Sequence, residues 1–377
     1  MAAPKTKEKG FDLKKFNKEM SGFMFKKPER DDQGNIKTQK YKTNILPLDT
    51  LLNGGFPQGR VIGLGAEWGV GKTTALIQAC SNIIDTYNKR IYYIDIEGGA
   101  TYELFEAMGC AHHIWDAEEN PEGMLYLINV TTIQMIAKIT KQVCTDDNTA
   151  VIVYDSDTQV VDQLDLDKDD LGTSNNAIGA RARMWSKAAG PLLAVVKMSH
   201  ACLVIVHQAR MDLTGFRPRI VASGGNAIKH MASAEIWGKR KAWIGEDNVT
   251  EKVKKEDAIG ALVEFSTTKN RLGLPFRKVM FPIFFGKGVS NLWVYKDWLI
   301  ANEWLDKASG ELIPYIKVSG SWFQIELPGI VSQKVQGGDK VNDFIKQYAE
   351  EIGKIIEESG GVALAKTPEP ENEFDEE

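Results

Sequence analysis

Apolar runs recur along the first two thirds of the chain, and four of them are nearly unbroken: Val61-Ile62-Gly63-Leu64-Gly65, Ile91-Tyr92-Tyr93-Ile94-Asp95-Ile96, Ala150-Val151-Ile152-Val153-Tyr154 and Cys202-Leu203-Val204-Ile205-Val206. Runs of this length without alternation predict strands buried on both faces, the signature of a parallel sheet. Between the first two, Thr74 to Tyr87 places Leu76, Ile77, Cys80 and Ile83 at helical spacing. Strands alternating with helices predict an α/β core, with a mainly parallel twisted sheet flanked by helices. Leu262 to Thr268 reads as a further strand, and the pattern changes after Gly288. Trp293, Trp298, Trp304 and Gly320-Ser321-Trp322-Phe323 suggest a small separate α+β module there. Its last helix is expected from near Asp339 to about Ser359, with Val341, Phe344, Ile345, Tyr348, Ile352, Ile355 and Ile356 on one face.

The expected organisation is an N-terminal arm at 1–40, a core at 41–290, a small C-terminal domain at 291–360 and a tail at 361–377. In the arm, Phe11, Leu13, Phe16 and Met20 fall at partial helical spacing, followed by Phe23-Met24-Phe25. Such a patch has no core of its own, so it docks either on another subunit or on the body of its own chain.

Composition fits a soluble globular protein: 377 residues, 43% hydrophobic and 26% charged. No apolar run approaches the roughly 18 residues of a membrane span, so no membrane partner is expected. The lysine-rich start lacks the apolar segment of a secretory signal. The four cysteines, Cys80, Cys110, Cys144 and Cys202, lie far apart in mostly apolar contexts and read as reduced residues of a cytosolic protein. The five histidines give no metal-ligand spacing, Cys110-Ala111-His112-His113 being the nearest approach. A net charge of −5 does not by itself argue for a nucleic-acid partner. Its distribution does: lysines crowd the start, from Lys5 to Lys27, and carboxylates crowd the end, from Glu369 to Glu377. That asymmetry is expected of a polyanion binder with a competing acidic tail, or of two solvated ends.

The first apolar run feeds Ala66-Glu67-Trp68-Gly69-Val70-Gly71-Lys72-Thr73-Thr74, which then opens a helix. Strand, glycine-bearing loop and helix is the context of a phosphate loop, in which backbone N–H groups and the helix N-terminus hold a polyphosphate. Lys72 would reach the β and γ phosphates and the Thr73 hydroxyl would ligate Mg²⁺. The other three runs end in polar residues, at Glu97, Asp155 and His207-Gln208. Ligands bind outside the carboxyl ends of such strands, so these side chains are expected to converge on the loop. Asp155 suits the Mg²⁺ shell, Glu97 the activation of water, and Gln208 the sensing of a γ phosphate. After Gln208 comes an expected loop, Ala209 to Gly225, in which Arg210, Arg217 and Arg219 can neutralise phosphates and Phe216 can stack. A second loop, Gln159 to Gly179, is acidic and then Gly/Ser/Asn-rich, and Arg183 follows it at the start of a helix. Lys269 and Arg271 share one side of an extended segment and could bring charge to a transferring phosphoryl group.

Taken in order, these features resemble the RecA-type recombinase family in its bacterial and phage UvsX-like branches. The match rests on Gly71-Lys72-Thr73-Thr74, Ile94-Asp95-Ile96-Glu97, Val153-Tyr154-Asp155-Ser156, His207-Gln208-Ala209-Arg210-Met211 and Gly224-Gly225-Asn226-Ala227-Ile228-Lys229. It continues through Lys269-Asn270-Arg271, Phe285-Gly286-Lys287-Gly288, Gly320-Ser321-Trp322-Phe323 and the acidic tail, spanning about residues 40 to 350. The resemblance implies a RecA-like ATPase core that takes ATP and Mg²⁺ and forms helical filaments on single-stranded DNA. It also implies DNA-stimulated hydrolysis, pairing and strand exchange with homologous duplex DNA, and ATP held between neighbouring subunits. Single-strand-binding and loading proteins would be partners, in the cytoplasm of a bacterial or phage-infected cell. By the same resemblance Glu97 activates water, Gln208 couples ATP to the second DNA loop, and Gly224-Gly225-Asn226 closes that loop on DNA. Lys269 and Arg271 would reach the adjacent subunit's γ phosphate, Arg183 would contact DNA, Tyr102 would stack on adenine, and Phe23 or Phe25 would dock the arm. The chain departs from the family at Ala66 and at His207, where Gly and Asn are usual, and at the bulky Trp68. A hexameric helicase on a related core, and a filament protein whose nucleotide only controls assembly, stand as alternative readings.

Overall fold

The computed structural model describes residues 39–166, 180–212, 219–222, 225–246 and 253–359. Its centre is a ten-stranded sheet. The strands, numbered along the chain, are β1 (Val61–Ala66), β2 (Arg90–Asp95), β3 (Leu125–Ile128), β4 (Thr149–Asp155), β5 (Cys202–Asp212), β6 (Arg219–Ala222), β7 (Ala234–Ile244), β8 (Gly260–Asn270), β9 (Lys278–Phe284) and β10 (Gly288–Val289). Their order across the sheet is β10-β9-β8-β7-β1-β5-β4-β2-β3, with β6 folded back on β5. From β7 to β3 every neighbouring pair is parallel, whereas β8, β9 and β10 extend the sheet antiparallel.

Burial explains the difference between the two parts. β1 and β4 are buried at every position, as their uninterrupted apolar runs require. In β8 the buried residues alternate, Ala261, Val263, Phe265 and Thr267, with Leu262, Glu264 and Ser266 only half-buried between them on the other face.

Helices α1 (Leu46–Leu51) and α2 (Lys72–Tyr87) cover one face of the sheet, where Leu48, Leu51, Leu76, Cys80 and Ile83 join Tyr93, Val153, Val204 and Phe265. Between β2 and β3 lies α3 (Tyr102–Ala107). The opposite face is covered by α4 (Ile133–Val143), α5 (Ala180–Lys197) and α6 (Gly225–Met231), through Ile133, Ile136, Trp185, Leu192, Val196 and Ile228. A third apolar cluster lies beyond the sheet, among α7 (Asn291–Ala301), two small antiparallel sheets, α8 (Gly338–Gln347) and α9 (Ala349–Glu358). Gly320, at φ 61°, turns the hairpin in which Ser319 pairs with Trp322. The single helix expected from Asp339 to Ser359 is two helices. The chain leaves helical geometry at Tyr348 (φ −109°, ψ 26°), so the buried sets Val341/Phe344/Ile345 and Ile352/Ile356 belong to different axes.

Among the described residues all four cysteines are free thiols, and Cys80, Cys110 and Cys202 are buried. No helix among them is long and apolar enough to cross a membrane. The arm, with Phe23 and Phe25, and the acidic tail lie outside the described residues.

Candidate functional site

β1 delivers the chain to the phosphate loop at Ala66. Gly69 (φ 71°) and Gly71 (φ 87°) then hold left-handed geometry that side chains resist. Val70 between them is buried, and Gly71 caps α2 without any side-chain hydrogen bond, leaving the helix N-terminus to an anion. A Cβ on Gly71 would stand 2.9 Å from Ile283 Cγ2, so only glycine fits there. The Ala66 methyl has room because β7 supplies Gly238 opposite it: a Cβ on Gly238 would come within 3.0 Å of Ala66 Cβ and 2.4 Å of Phe265 Cε1. Trp68 is 81% exposed and leaves the cradle open; the Lys255 ammonium lies 5.8 Å over its ring.

Lys72 Nζ donates to the carbonyls of Ala66 (3.3 Å) and Glu67 (3.2 Å), curled over its own loop. Burial lowers its pKa, against the opposing charges of Asp155 and Glu97. Thr73 Oγ1 donates to Asp155 Oδ2 (2.8 Å), and the Tyr93 hydroxyl donates to the same oxygen (2.6 Å). Burial raises the pKa of Asp155, Glu97 and Asp95 push the same way, and the two hydrogen bonds hold it back. A dication beside Thr73 and Asp155 would remove that penalty, so the donor set fits Mg²⁺.

Asp95 pins the turn beyond β2 by accepting the N–H groups of Gly98 (2.9 Å), Gly99 (3.2 Å) and Ala100 (3.0 Å). Glu97 in that turn is exposed, and its Oε1 accepts from Gln208 Nε2 (2.7 Å), Thr158 Oγ1 (2.9 Å) and Ser156 Oγ. Gln208 reaches it because β5 lies beside β1 with Gln208 opposite Ala66. Thus Lys72, Thr73, Asp155, Glu97 and Gln208, expected from the sequence to converge, gather at the carboxyl ends of adjacent strands.

Below Gln208, His207 is fully buried between two carboxylates. Nδ1 lies 3.0 Å from Asp157 Oδ2, and Nε2 lies 3.8 Å from Glu235 Oε2. Burial alone would drive the proton off His207, but the hydrogen bond and charge of Asp157, with Glu235 behind, outweigh it and raise the pKa. Gly63 makes room for this group: a Cβ there would meet Glu235 Oε2 at 2.3 Å.

Lys269 and Arg271 stand apart from their own phosphate loop. Ala66 is level with Gly238 on β7, whereas Lys269 is level with Glu235 and the Arg271 N–H donates to the Ser233 carbonyl. Those positions are about 10 and about 16 Å back along the strand. Lys269 Nζ instead donates to the carbonyls of Lys229 (2.5 Å) and His230 (3.4 Å), capping the C-terminal end of α6. Burial lowers its pKa, Arg271 adds to that, and Glu235 opposes it.

The expected loop after Gln208 is corrected in part. β5 continues to Asp212 and pairs antiparallel with β6, Arg210 opposite Val221 and Asp212 opposite Arg219, so both arginines sit on a hairpin. The β-branched pair Ile220-Val221 supplies a strand where charge suggested a loop. Phe216, Arg217 and Gly224 lie outside the described residues, and Gly225 and Asn226 open α6. Arg183 is exposed near the start of α5, and Tyr102 is 57% exposed at the first position of α3. Sequence reasoning missed Tyr93, whose hydroxyl is hidden within an apolar run, and Ser156 and Thr158, whose signal was their place just after Asp155. It also missed Arg240, stacked 4.0 Å over Trp243 beside Gly69 on a strand that was not foreseen.

The profile of the RecA N-terminal domain matches residues 13–290. The chain belongs to the RecA family. It is 27% identical to the Protein RecA 2 of Myxococcus xanthus over 342 residues, covering 88% of this chain and 84% of the relative. It is 26% identical to the Protein RecA of Bartonella bacilliformis over 336 residues, covering 88% and 86%. Among solved structures, a RadB recombinase aligns at 18% identity with a TM-score of 0.46, covering 66% of this chain and 98% of that one. Membership in the RecA family supports a DNA recombinase function in general.

Proposed function

We propose that this chain is a DNA-dependent ATPase that assembles into helical filaments on single-stranded DNA and exchanges that strand with a homologous duplex. The observation that supports the reading is that separation: the phosphate loop lies level with Gly238 in the middle of β7, with Thr73, Asp155, Glu97 and Gln208 around it, whereas Lys269 and Arg271 lie level with the start of that strand. A head-to-tail neighbour would bring its Lys269 and Arg271 to this loop, so ATP sits at the seam between copies.

In that arrangement the loop amides and Lys72 would bind the phosphates, while Thr73 and Asp155 would hold Mg²⁺, which would supply charge neutralisation on the phosphates. Glu97 takes the proton of the attacking water. Gln208 Nε2 donates to Glu97. Turning to the γ phosphate, it would free that carboxylate and shift the hairpin carrying Arg210 and Arg219. Lys269 leaving the α6 carbonyls for a neighbour's phosphate would loosen the C-terminal end of α6, whose opening residues Gly225 and Asn226, with Gly224, Phe216 and Arg217, would close on DNA. Arg183 adds a DNA contact, and Tyr102 offers a face to adenine. Residues 1–40 dock on the neighbour, and the chain works in the cytoplasm with single-strand-binding and loading proteins.

Electron microscopy of the protein on single-stranded DNA, with and without a non-hydrolysable ATP analogue, tests this reading. Long filaments that depend on the analogue and vanish in Lys72→Ala support it. Closed rings, or filaments indifferent to Lys72, refute it.

A further inference from the structure

We propose that Asp85, His112 and His113 form a binding site for a borderline divalent cation, of which Zn²⁺ is the type. The ligand atoms of the three lie within 4.8 Å of one another. They line a cleft of about 440 Å³ together with Glu122, Asn88 and the Gly123-Met124 segment. His113 is the anchor. Its side chain is only 7% exposed, and Nε2 has no hydrogen-bond partner, although Asp85 Oδ1 stands 3.3 Å away. Tetrahedral zinc with bonds of about 2.0 to 2.1 Å holds its ligand atoms about 3.3 Å apart, so this pair already has the required separation. The exposed His112 ring lies 4.0 Å from that of His113, between centroids, and closes the triad by a side-chain rotation. Glu122 or water completes the shell.

The surroundings favour a cation independently of the ligands. Asp85 lies in the last turn of α2, which has no basic residue there, so a carboxylate stands at the negative end of the helix dipole. A bound dication offsets both charges. Two imidazoles with one carboxylate select zinc, cobalt, nickel or copper over magnesium. The site is thirteen residues along α2 from Lys72, about 20 Å by helical rise, and is separate from the nucleotide pocket. Its ion would tie the far end of the phosphate-loop helix to the turn that precedes β3.

The test uses the full chain without a histidine tag, stripped of metal. Co²⁺ titration should give one saturable site with the visible absorption of a tetrahedral complex, displaced by Zn²⁺ and not by Mg²⁺. Both Asp85→Asn and His112→Ala are exposed substitutions and, as each removes a direct ligand, should weaken binding by at least the roughly 10- to 100-fold that loss of an outer-shell partner costs. Zn²⁺ should raise the melting temperature of the parent protein and of Lys72→Ala, and at the same Zn²⁺ concentration raise it less in those two variants. Absence of a saturable site, or an affinity in Asp85→Asn and His112→Ala equal to that of the parent protein, overturns the proposal and leaves an ordinary His-Asp contact. Neither result bears on ATP binding, so the recombinase reading stands or falls separately.

Discussion

Alanine at Gly71 and alanine at Gly69 should differ, although the two glycines share one loop and one backbone geometry. Either substitution places a side chain at positive φ, 87° or 71°, which costs about 1–2 kcal/mol for an L-residue. At Gly69 the nearest atom to the new Cβ is Arg240 Nη1 at 3.9 Å, the end of a flexible side chain, so nothing further is paid. At Gly71 the new Cβ meets Ile283 Cγ2 at 2.9 Å and Cδ1 at 3.1 Å, and overpacking of this kind adds about 1–3 kcal/mol. Urea denaturation without nucleotide should therefore show a loss of about 2–5 kcal/mol for Gly71→Ala and about 1–2 kcal/mol for Gly69→Ala. Ile283→Ala is the diagnostic partner. Combined with Gly71→Ala it should recover the overpacking portion, a coupling of about 1–3 kcal/mol, whereas with Gly69→Ala it should be additive. Equal losses for the two glycines, or additivity in the Gly71 pair, would refute the account of how β9 shapes the loop.

Glu97→Gln should lower DNA-stimulated phosphate release by about 10²–10⁴-fold while filaments persist; normal turnover would remove Glu97 from water activation. Tyr93→Phe takes from Asp155 one of the two hydrogen bonds that hold its pKa down, so half-maximal ATPase should need more Mg²⁺, and an unchanged Mg²⁺ curve would contradict the role given to Tyr93. The raised pKa of His207 means that its stabilisation is fully present below its ordinary value of 6.5 and is lost as pH climbs through the raised value. Glu235, also raised by burial, pulls in the same direction. The protein should thus lose stability as pH rises above the ordinary imidazole value of 6.5, with a shallower slope in His207→Asn; parallel slopes would show that the buried His-Asp contact does not titrate there.

The parallel strands were legible because burial on both faces forces an uninterrupted apolar run, and the polar residues that end those runs stood out against it. Asp155, Glu97 and Gln208 could be read in this way. β7 was not legible, since Trp237, Lys239, Arg240 and Lys241 break its pattern with side chains that the half-covered part of the sheet leaves free to vary. β3 is too short, at Leu125–Ile128, to rise above the background. Tyr93 passed as core because its ring is core and only its hydroxyl reaches the site. For Lys269 and Arg271 the residue types were informative, but their remoteness from the loop depends on the register of three strands, which no local pattern encodes. The break at Tyr348 was hidden because both helices keep one continuous apolar spacing across it.

The central claim is that one copy's phosphate loop is completed by another copy's cations, and subunit mixing tests it most directly. Lys72→Ala lacks a working loop but keeps Lys269 and Arg271, while the double variant Lys269→Met/Arg271→Met has the opposite defect. Each alone should be inactive in DNA-stimulated ATP hydrolysis. Mixed in equal amounts before DNA is added, they should regain activity at about one quarter of their interfaces, where an intact loop meets an intact cation pair. No recovery on mixing, with the double variant hydrolysing ATP normally on its own, would contradict the claim.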